Sequence, residues 1–404
     1  MKRIIYIFLL LFCQWNIVAA ENQVDLTYSN LPVLSLNTFG KPITGTPIPC
    51  TVQIINNPEN TNQYGSLIRI HGATSQGLPK KSYRIAFNSP VEFFGLKKTH
   101  QFVLNAAFID PSLMRHKLSY DLFLSLSTPQ SPRYAAASQF VEILLNREYI
   151  GVYLFMERIN RELLNLRKFD PNDFAHSVIY KAVDHAANFA QSGHNGYEQQ
   201  EPDLSKKQYW EPLDELNRFI LKAKYEDFFN PQTGIASKID IENAIDFHLL
   251  VLLTSNSDGI TKNYYLVRNG QEKPPLKEKF FFIPWDYDGS FGRNWDSSHY
   301  PFNIWLSNHL FDRLMESKEY RTKFANRWNE LRQAQFSEEF IVGMIDDNVQ
   351  TLGNATERNS KRWPEARNHY RDHATFEQDI NLMKSWLKKR LNWLDKEINR
   401  KTGN

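Results

Sequence analysis

The chain has 404 residues, of which 42% are hydrophobic, 14% aromatic and 23% charged, a composition that supports a sizeable core and excludes a disordered chain. Its 48 basic and 45 acidic residues give a net charge of +3. This near-balance argues against a dedicated nucleic-acid binder, which needs a strong basic excess. The two cysteines exclude a disulfide-rich scaffold and a cysteine-ligated zinc site.

Residues 1–20 have the features of a secretory signal peptide. Lys2 and Arg3 are basic, residues 4–12 are apolar, and small residues lead up to Ala20. We therefore predict cleavage after Ala20 and an exported protein, whether periplasmic, extracellular or on the cell surface. The alternative is a membrane anchor, but the apolar run is short and polar residues interrupt it. No later stretch reaches 18 apolar residues, so we predict no stable membrane insertion.

Beyond residue 20 the sequence predicts strands first and helices last, which is typical of an α+β protein with a β-rich first half and a helical second half. Residues 21–65 are expected to form an N-terminal segment of short strands and loops. The main domain is expected over 66–400, with a β-rich lobe over about 66–160 and a helical lobe over about 161–400. Alternation and helical periodicity predict strands over 51–55, 66–70, 81–87, 140–145, 149–156, 264–267 and 279–283, and helices over 111–125, 210–224, 240–254, 310–316, 319–334 and 376–400.

Four local patterns refine this outline. Asp110 followed by Pro111 predicts a capped helix start, and residues 146–148 between two strands predict a hairpin. Residues 184–209 are polar and weakly patterned, and we expect a mobile insertion there. The last helix has one apolar face, which we predict is docked on the core. This face consists of Leu387, Leu391, Leu394 and Ile398.

Two polar stretches carry the chemistry. Residues 258–263 follow an apolar helix, and an Asp with an Asn five positions later, Asp258 and Asn263, is the spacing of the phosphoryl-transfer catalytic loop. In such a loop the Asp accepts the substrate hydroxyl proton and the Asn binds a metal. Farther on, Asp286 and Asp288 stand in a glycine-bearing loop, and paired carboxylates suit a hard cation. Each stretch taken alone is equally typical of an ordinary turn.

A predicted hairpin joins these stretches. If strands 264–267 and 279–283 pair, Asn263 enters the hairpin and Pro284 leaves it at the same end. Asp258, Asn263 and Asp286 then converge on one edge. Converging carboxylates are costly without a cation or a catalytic use. The sequence therefore predicts a metal–phosphate site at this edge.

Phosphate binding also needs a cationic group. Lys80 and Lys81 follow a glycine-bearing loop that contains Ser75, and backbone N–H groups of such a loop can bind phosphate. If the strand begins by residue 81, Lys81 shares its face with Tyr83, which we expect to face the cleft or core. We therefore prefer Lys81 to Lys80 as the phosphate contact, without excluding Lys80.

Five further residues belong to the predicted site or are alternatives within it. Glu157 closes a strand, where it could orient a lysine, contact a nucleotide or cap the next helix. Arg115, one turn into the predicted helix, is expected to form a supporting ion pair, and Arg69 is likewise expected to support the site. If neither lysine contacts phosphate, Arg69, Arg84 and Lys181 are the next candidates.

Five ordered blocks resemble the CotH kinase family, the group of spore coat protein H. The resemblance runs from about residue 66 to 292 and continues weakly into the C-terminal helices. The blocks are Arg69-x-His-Gly-x-Thr-Ser75 with Pro79-Lys80-Lys81-Ser-Tyr83-Arg84, Phe102 to Arg115, Leu144 to Glu157, Asp258 to Leu266, and Phe282 to Asp288.

The resemblance implies an atypical protein kinase with a bilobal kinase-like fold, exported or coat-associated, that transfers the γ-phosphate of ATP to Ser or Thr hydroxyls of a protein with Mg²⁺ or Mn²⁺. If the roles of the matching family residues apply here, Asp258 is the catalytic Asp, Asn263 and Asp286 are the metal-binding pair, and Lys81 contacts phosphate. Asp288 is either a second ligand or a brace for its loop. Asp-Tyr-Asp-Gly replaces the usual Asp-Phe-Gly, and no His-Arg precedes Asp258.

Two other functions compete with this interpretation. One is a non-catalytic surface or adhesion module on the same fold. The other is a glycan-active enzyme, suggested by the many aromatic residues and by the paired carboxylates that glycosidases also use.

Overall fold

The structure is a computed structural model that describes residues 26, 29–57 and 62–403; the predicted signal peptide lies outside the described residues. The strands are β1 (Val33–Asn37), β2 (Ile48–Ile54), β3 (Gln63–His71), β4 (Ser82–Val91), β5 (Thr99–Asn105), β6 (Ser138–Leu145), β7 (Glu148–Glu157), β8 (Val178–Ala182), β9 (Tyr197–Glu201), β10 (Tyr264–Arg268) and β11 (Phe281–Pro284). The helices are α1 (Arg115–Leu124), α2 (Glu211–Lys222), α3 (Tyr225–Phe228), α4 (Ile241–Thr254), α5 (His309–Leu314), α6 (Lys318–Arg332), α7 (Glu338–Leu352), α8 (Ala355–Arg362), α9 (Ala366–His369) and α10 (Phe376–Thr402).

The first seven strands close into a barrel with the order β1-β2-β3-β4-β5-β7-β6. A parallel pairing of β1 with β6, Val33 opposite Glu142, completes the closure. Residues 21–65, predicted as a segment of their own, contribute β1, β2 and the start of β3 to this barrel. Aromatic rings fill the interior, where Phe102 stacks on Phe155 with centroids 4.6 Å apart. The β6–β7 hairpin is confirmed, with both turn residues, Asn146 and Arg147, at positive φ.

The second sheet has the order β11-β10-β8-β9, and one of its faces packs against α4. On the helix side, Phe282 stacks on Phe247 of α4 with centroids 4.8 Å apart. Alternation along the strands places Lys181 and Tyr265, which are register partners, on the opposite face. The expectation of a mobile insertion over 184–209 is wrong in part, because this segment supplies β9, which pairs with β8.

The helical second half follows the sequence pattern closely. The predicted helices correspond to α2, α4, α5, α6 and α10, and the predicted apolar face of α10 is fully buried. The α+β organisation is therefore confirmed, whereas barrel closure was not predicted and the bilobal kinase likeness stays a prediction. Within the described part of the chain, no helix has both the length and the apolar character needed to cross a bilayer.

The predicted start of α1 is wrong. Leu113 adopts a left-handed conformation with φ of 60°, which interrupts the helical path, so the helix begins at Arg115 rather than at residue 111. Asp110 does not cap it in the expected way. Its carboxylate accepts hydrogen bonds from the backbone N–H groups of Ser112 at 3.0 Å and Arg115 at 2.8 Å.

Candidate functional site

The β10–β11 hairpin brings the two polar stretches together. The strands pair antiparallel with Tyr264 opposite Pro284, and the N–H of Trp285 donates to the carbonyl of Asn263 at 3.0 Å. Asn263 and Asp286 therefore flank the same end of the hairpin, as the sequence predicted. Within the described residues the carboxamide of Asn263 makes no hydrogen bond, so its oxygen is available to a ligand.

Asp286 and Asp288 form a pair of neighbouring carboxylates. Three atoms lie within 4.8 Å of one another: a carboxylate oxygen of Asp286, a carboxylate oxygen of Asp288 and a ring nitrogen of His116. Burial raises the pKa of Asp288 well above its usual value, and the charges of Asp286, Asp110 and Asp258 add to the shift. The Asp286 side chain is 47% exposed, so the pair is open to solvent on one side. A divalent cation would remove the repulsion between the two carboxylates.

His116 lies beside the two carboxylates. Its Nδ1 accepts a hydrogen bond from the N–H of Tyr287 at 2.9 Å. Its Nε2 lies 3.3 Å from Nδ2 of Asn105 and 3.8 Å from Oδ1 of Asp286, so both ring nitrogens have protein neighbours, and a hard cation favours the carboxylate oxygens over the ring. The hydroxyl of Tyr120 accepts from the N–H of Asp286 at 2.8 Å. Both α1 side chains therefore hold the backbone of the carboxylate loop, where Asp286 has a positive φ of 60°.

Asp288→Asn is expected to raise the melting temperature of the metal-free protein at neutral pH by roughly 1–3 °C. A carboxyl group whose pKa is raised in the folded state lowers the stability of the protein as the pH rises above the group's pKa in the unfolded chain, about 3.9. The asparagine removes that loss, so its advantage should grow with pH from about 4 upwards and vanish in acid. Thermal melts across this range check the effect against Asp227→Asn, which alters an exposed carboxylate. A variant less stable than wild type at neutral pH would contradict it.

Asp258 lies in the loop between α4 and β10. Its Oδ2 is 3.1 Å from Nζ of Lys262, and its Oδ1 is 3.7 Å from Nε2 of His185. Asn256 ties this loop to the other, because its Nδ2 donates to the carbonyl of Asp286 at 3.1 Å while its Oδ1 accepts from the N–H of Gly259 at 3.0 Å. The loop that carries Asp258 is thus tied to the loop that carries Asp286 and Asp288.

Two comparisons with known proteins bear on this site. The family model described as CotH kinase protein matches residues 68–394. The chain belongs to the CotH kinase protein family. It is also 28% identical over 338 residues to the inner spore coat protein H of Bacillus subtilis (strain 168), which covers 78% of this chain and 85% of that protein. The resemblance drawn from the five blocks is therefore confirmed.

In this CotH-family chain Lys80 is enclosed by the barrel and α8. Its ammonium donates to the carbonyls of Ala106 at 2.8 Å and Val152, and to Oδ1 of Asn359 at 3.1 Å. It also lies 4.5 Å from the ring centroid of Tyr153. Burial lowers the pKa of Lys80 well below its usual value. The three hydrogen-bond acceptors oppose that shift, because each of them can take one proton of the ammonium group. The side chain therefore fastens α8 to the barrel and has no proton left for a phosphate.

Lys81 lies just before β4, which begins at Ser82 rather than at residue 81. Its Nζ donates to the carbonyls of Gln76, at 2.7 Å, and Leu78 in the preceding turn. Alternation along β4 turns the buried Tyr83 into the barrel. The face shared with Tyr83 is therefore the barrel interior, and the argument that placed Lys81 in a cleft on that face does not hold.

Lys80→Met is expected to lower the free energy of unfolding by roughly 2–5 kcal/mol, because three buried acceptors lose their donor. Lys81→Met should change it by less than about 1 kcal/mol, since its acceptors reach solvent more readily. Urea unfolding of both variants separates the two lysines. Equal destabilisation by both substitutions would contradict the structural role of Lys80.

The remaining predicted residues have mostly structural contacts. Oxygens of Glu157 accept from the N–H groups of Lys97 at 2.8 Å and Ala137 at 3.2 Å, so the carboxylate braces the barrel end. Ser75 lies in a 3₁₀ turn, Thr74–Gly77. Arg115 is completely buried and forms ion pairs with Asp110 and Asp379. Arg69 lies on the outer face of β3, opposite Arg84.

Sequence reasoning missed His116, Tyr120, Asn256, Lys262 and His185. Lys262 had a signal, since it stands four positions after Asp258 and immediately before Asn263. His116 and Tyr120 lie one helical turn apart on α1, but no local pattern connects them to a loop more than 160 positions away.

Proposed function

We propose that this protein is an exported, metal-dependent protein kinase that transfers the γ-phosphoryl group of ATP to Ser or Thr hydroxyls. The observation that carries this proposal is the group of Asp258, Asp286 and Asp288. Two of its carboxylates lie within 4.8 Å, and within the described part of the chain no lysine or arginine forms an ion pair with either of them. Such a group favours a divalent cation.

Asp286, Asp288 and the carboxamide of Asn263 are the residues that would hold Mg²⁺ or Mn²⁺. The cation supplies charge neutralisation at the phosphates. His116 and Tyr120 fix the backbone that carries the two carboxylates, so these ligands need little rearrangement.

Asp258 is the group that would take the proton. In the reaction the acceptor oxygen forms a bond to the γ-phosphorus as the bond from that phosphorus to the β–γ bridging oxygen breaks. The electron pair leaves with ADP, and the hydroxyl proton moves to a carboxylate oxygen of Asp258. The Nζ of Lys262, 3.1 Å from Oδ2, holds this carboxylate in place.

The name of the Bacillus subtilis relative, inner spore coat protein H, supports a coat, envelope or secreted protein as the substrate. It supports equally a location at a cell or spore surface. The predicted signal peptide leads to the same location independently.

The two competing functions have less support. A glycan-active enzyme would use two carboxyl groups as acid and nucleophile or base, whereas the carboxamide of Asn263 at the same end of the hairpin as Asp286 suits a shared cation better. A non-catalytic adhesion module has no use for two neighbouring carboxylates, Asp286 and Asp288, whose repulsion no lysine or arginine of the described residues offsets.

The test is transfer of label from γ-labelled ATP to a Ser/Thr-rich acceptor protein with Mg²⁺ or Mn²⁺. We expect the labelling to stop when EDTA is added. The substitution Asp286→Asn should reduce it at least tenfold. Asp227→Asn is the matched control. Labelling that persists in EDTA, or that is indifferent to Asp286→Asn, would overturn the proposal.

A further inference from the structure

Four cationic side chains gather between the barrel and the second sheet. Arg69 and Arg84 are register partners on β3 and β4, and both belong to the outer face of the barrel, since their neighbours Ile68 and Ile85 are fully buried inside it. Two guanidinium groups on facing strand positions repel each other unless an anion lies between them.

Arg158 and Lys181 complete this cationic cluster, which we define as Arg69, Arg84, Arg158 and Lys181. Arg84 and Arg158 share one acceptor, since both donate to Oε1 of Gln101, Arg158 at 3.1 Å. The second sheet meets the cluster where Nη2 of Arg158 donates to Oε1 of Gln200, on β9, at 3.4 Å. Lys181 lies on the neighbouring strand β8, with its Nζ 5.8 Å from the ring centroid of Trp285. The cluster therefore takes residues from both the barrel and the second sheet.

The cluster has no anionic partner in the part of the chain that the structure describes. No carboxylate forms an ion pair with any of its four members. Glu198 is the register partner of Lys181, but it is exposed and forms no ion pair with it. His71 lies among the four cations: burial lowers its pKa to about 4, and each of the four charges adds to the shift. Positive charge is thus concentrated around one point that the chain does not neutralise.

The cluster adjoins the carboxylate site through Tyr265. The charges of Arg158 and Arg84 act on the Tyr265 hydroxyl from one side, and the charge of Asp286 acts on it in the opposite sense. The ring of Tyr265 packs edge-on against Trp285, with centroids 5.5 Å apart, and Trp285 directly precedes Asp286. An anion in the cluster would therefore lie beside the cation ligands.

We propose that the cationic cluster binds the phosphate groups of the nucleoside triphosphate, the part that the sequence assigned to Lys80 and Lys81. This inference rests on the proposed kinase function and adds the phosphate-binding residues to it. Guanidinium groups bind phosphate oxygens in pairs, and four cations converging on one point suit a compact polyanion. An extended acidic peptide would instead favour charges spaced along an exposed surface.

The experiment measures binding without catalysis. Calorimetry with ATP and Mg²⁺, with inorganic tripolyphosphate and with adenosine is applied to wild type, Arg84→Gln and Lys181→Gln. Each substitution should weaken the binding of ATP and of tripolyphosphate about 10- to 100-fold and leave the binding of adenosine unchanged. Since each also removes like-charge repulsion, the melting temperature without ligand should not fall. Arg147→Gln, at the opposite end of β7 from Arg158, is the matched control and should bind as wild type does.

The outcomes separate this inference from the proposed function. Cluster-dependent binding of ATP and tripolyphosphate without any phosphoryl transfer supports the cluster and contradicts the kinase. Metal-dependent phosphoryl transfer with unchanged ATP affinity in Arg84→Gln and Lys181→Gln overturns the cluster and leaves the kinase standing. Loss of ATP binding in Lys81→Gln alone, or cluster-dependent binding of poly-glutamate but not of ATP, also overturns it.

Discussion

Replacing Asp258 by asparagine is expected to lower the rate of phosphoryl transfer by about 10²–10⁴-fold, because the variant cannot accept the acceptor hydroxyl proton. The amide keeps nearly the same volume, and its neighbours Lys262 and His185 are partly or largely exposed, so the fold should be unaffected. Steady-state rates with labelled ATP at saturating Mg²⁺ measure the loss.

The pattern of the loss matters as much as its size. Since Asp258 acts on the acceptor hydroxyl, Asp258→Asn should lower kcat with little change in the KM for ATP. Asp227→Asn, on the exposed face of α3, should keep wild-type turnover. Wild-type kcat in Asp258→Asn would remove this residue from the mechanism, whereas a raised KM alone would make it a nucleotide contact.

Asp379→Asn is expected to lower the free energy of unfolding by about 3–5 kcal/mol. Asp379 is fully buried on α10, with its Oδ2 2.5 Å from Nη1 of Arg115 and its Oδ1 2.7 Å from Nη2 of Arg293. Arg115 also pairs with Asp110 and donates to the carbonyl of Ser290 at 2.8 Å. Neutralising Asp379 leaves two buried guanidinium groups short of negative charge.

Urea unfolding with Glu357→Gln as the control isolates the effect of burial. Glu357 pairs with Lys361 on the surface of α8, where the two side chains are 67% and 74% exposed, and its removal should cost less than about 1 kcal/mol. Similar losses in both variants would show that the buried network contributes no more than a surface pair does. Because Arg115 and Arg293 also hold residues 290–293, Asp379→Asn should weaken Mg²⁺ binding as well.

The hairpin end of the site could be predicted because the information is local. Asn263 and Asp286 immediately flank two strands whose pairing follows from alternation and from the polar loop between them. The buried face of α10 was predictable for the same reason, since one helical period fixes it.

The proposed phosphate contacts could be predicted only in part. Three members of the cationic cluster were secondary candidates behind Lys81, and nothing in the sequence singled out the fourth, Arg158. Lys80 and Lys81 are adjacent in sequence, yet only Lys80 reaches an acceptor 279 positions away, Asn359. Arg158 and Arg84 meet at Gln101 only because the barrel brings β4, β5 and the end of β7 side by side. Such contacts depend on closure of the barrel, and the sequence showed its strands but not their order.

That closure also sets the order in which the chain can fold. β1 can pair with β2 along one of its edges soon after both strands are synthesised. The strand that pairs with its other edge is β6, more than 100 positions later. Until residues 138–145 are available, β1 presents an unpaired edge and the barrel interior is open to water. Contacts between such distant segments form slowly, because a long loop must be ordered before they stabilise anything. We therefore expect slow refolding of the whole chain, with β1–β6 pairing as the late step.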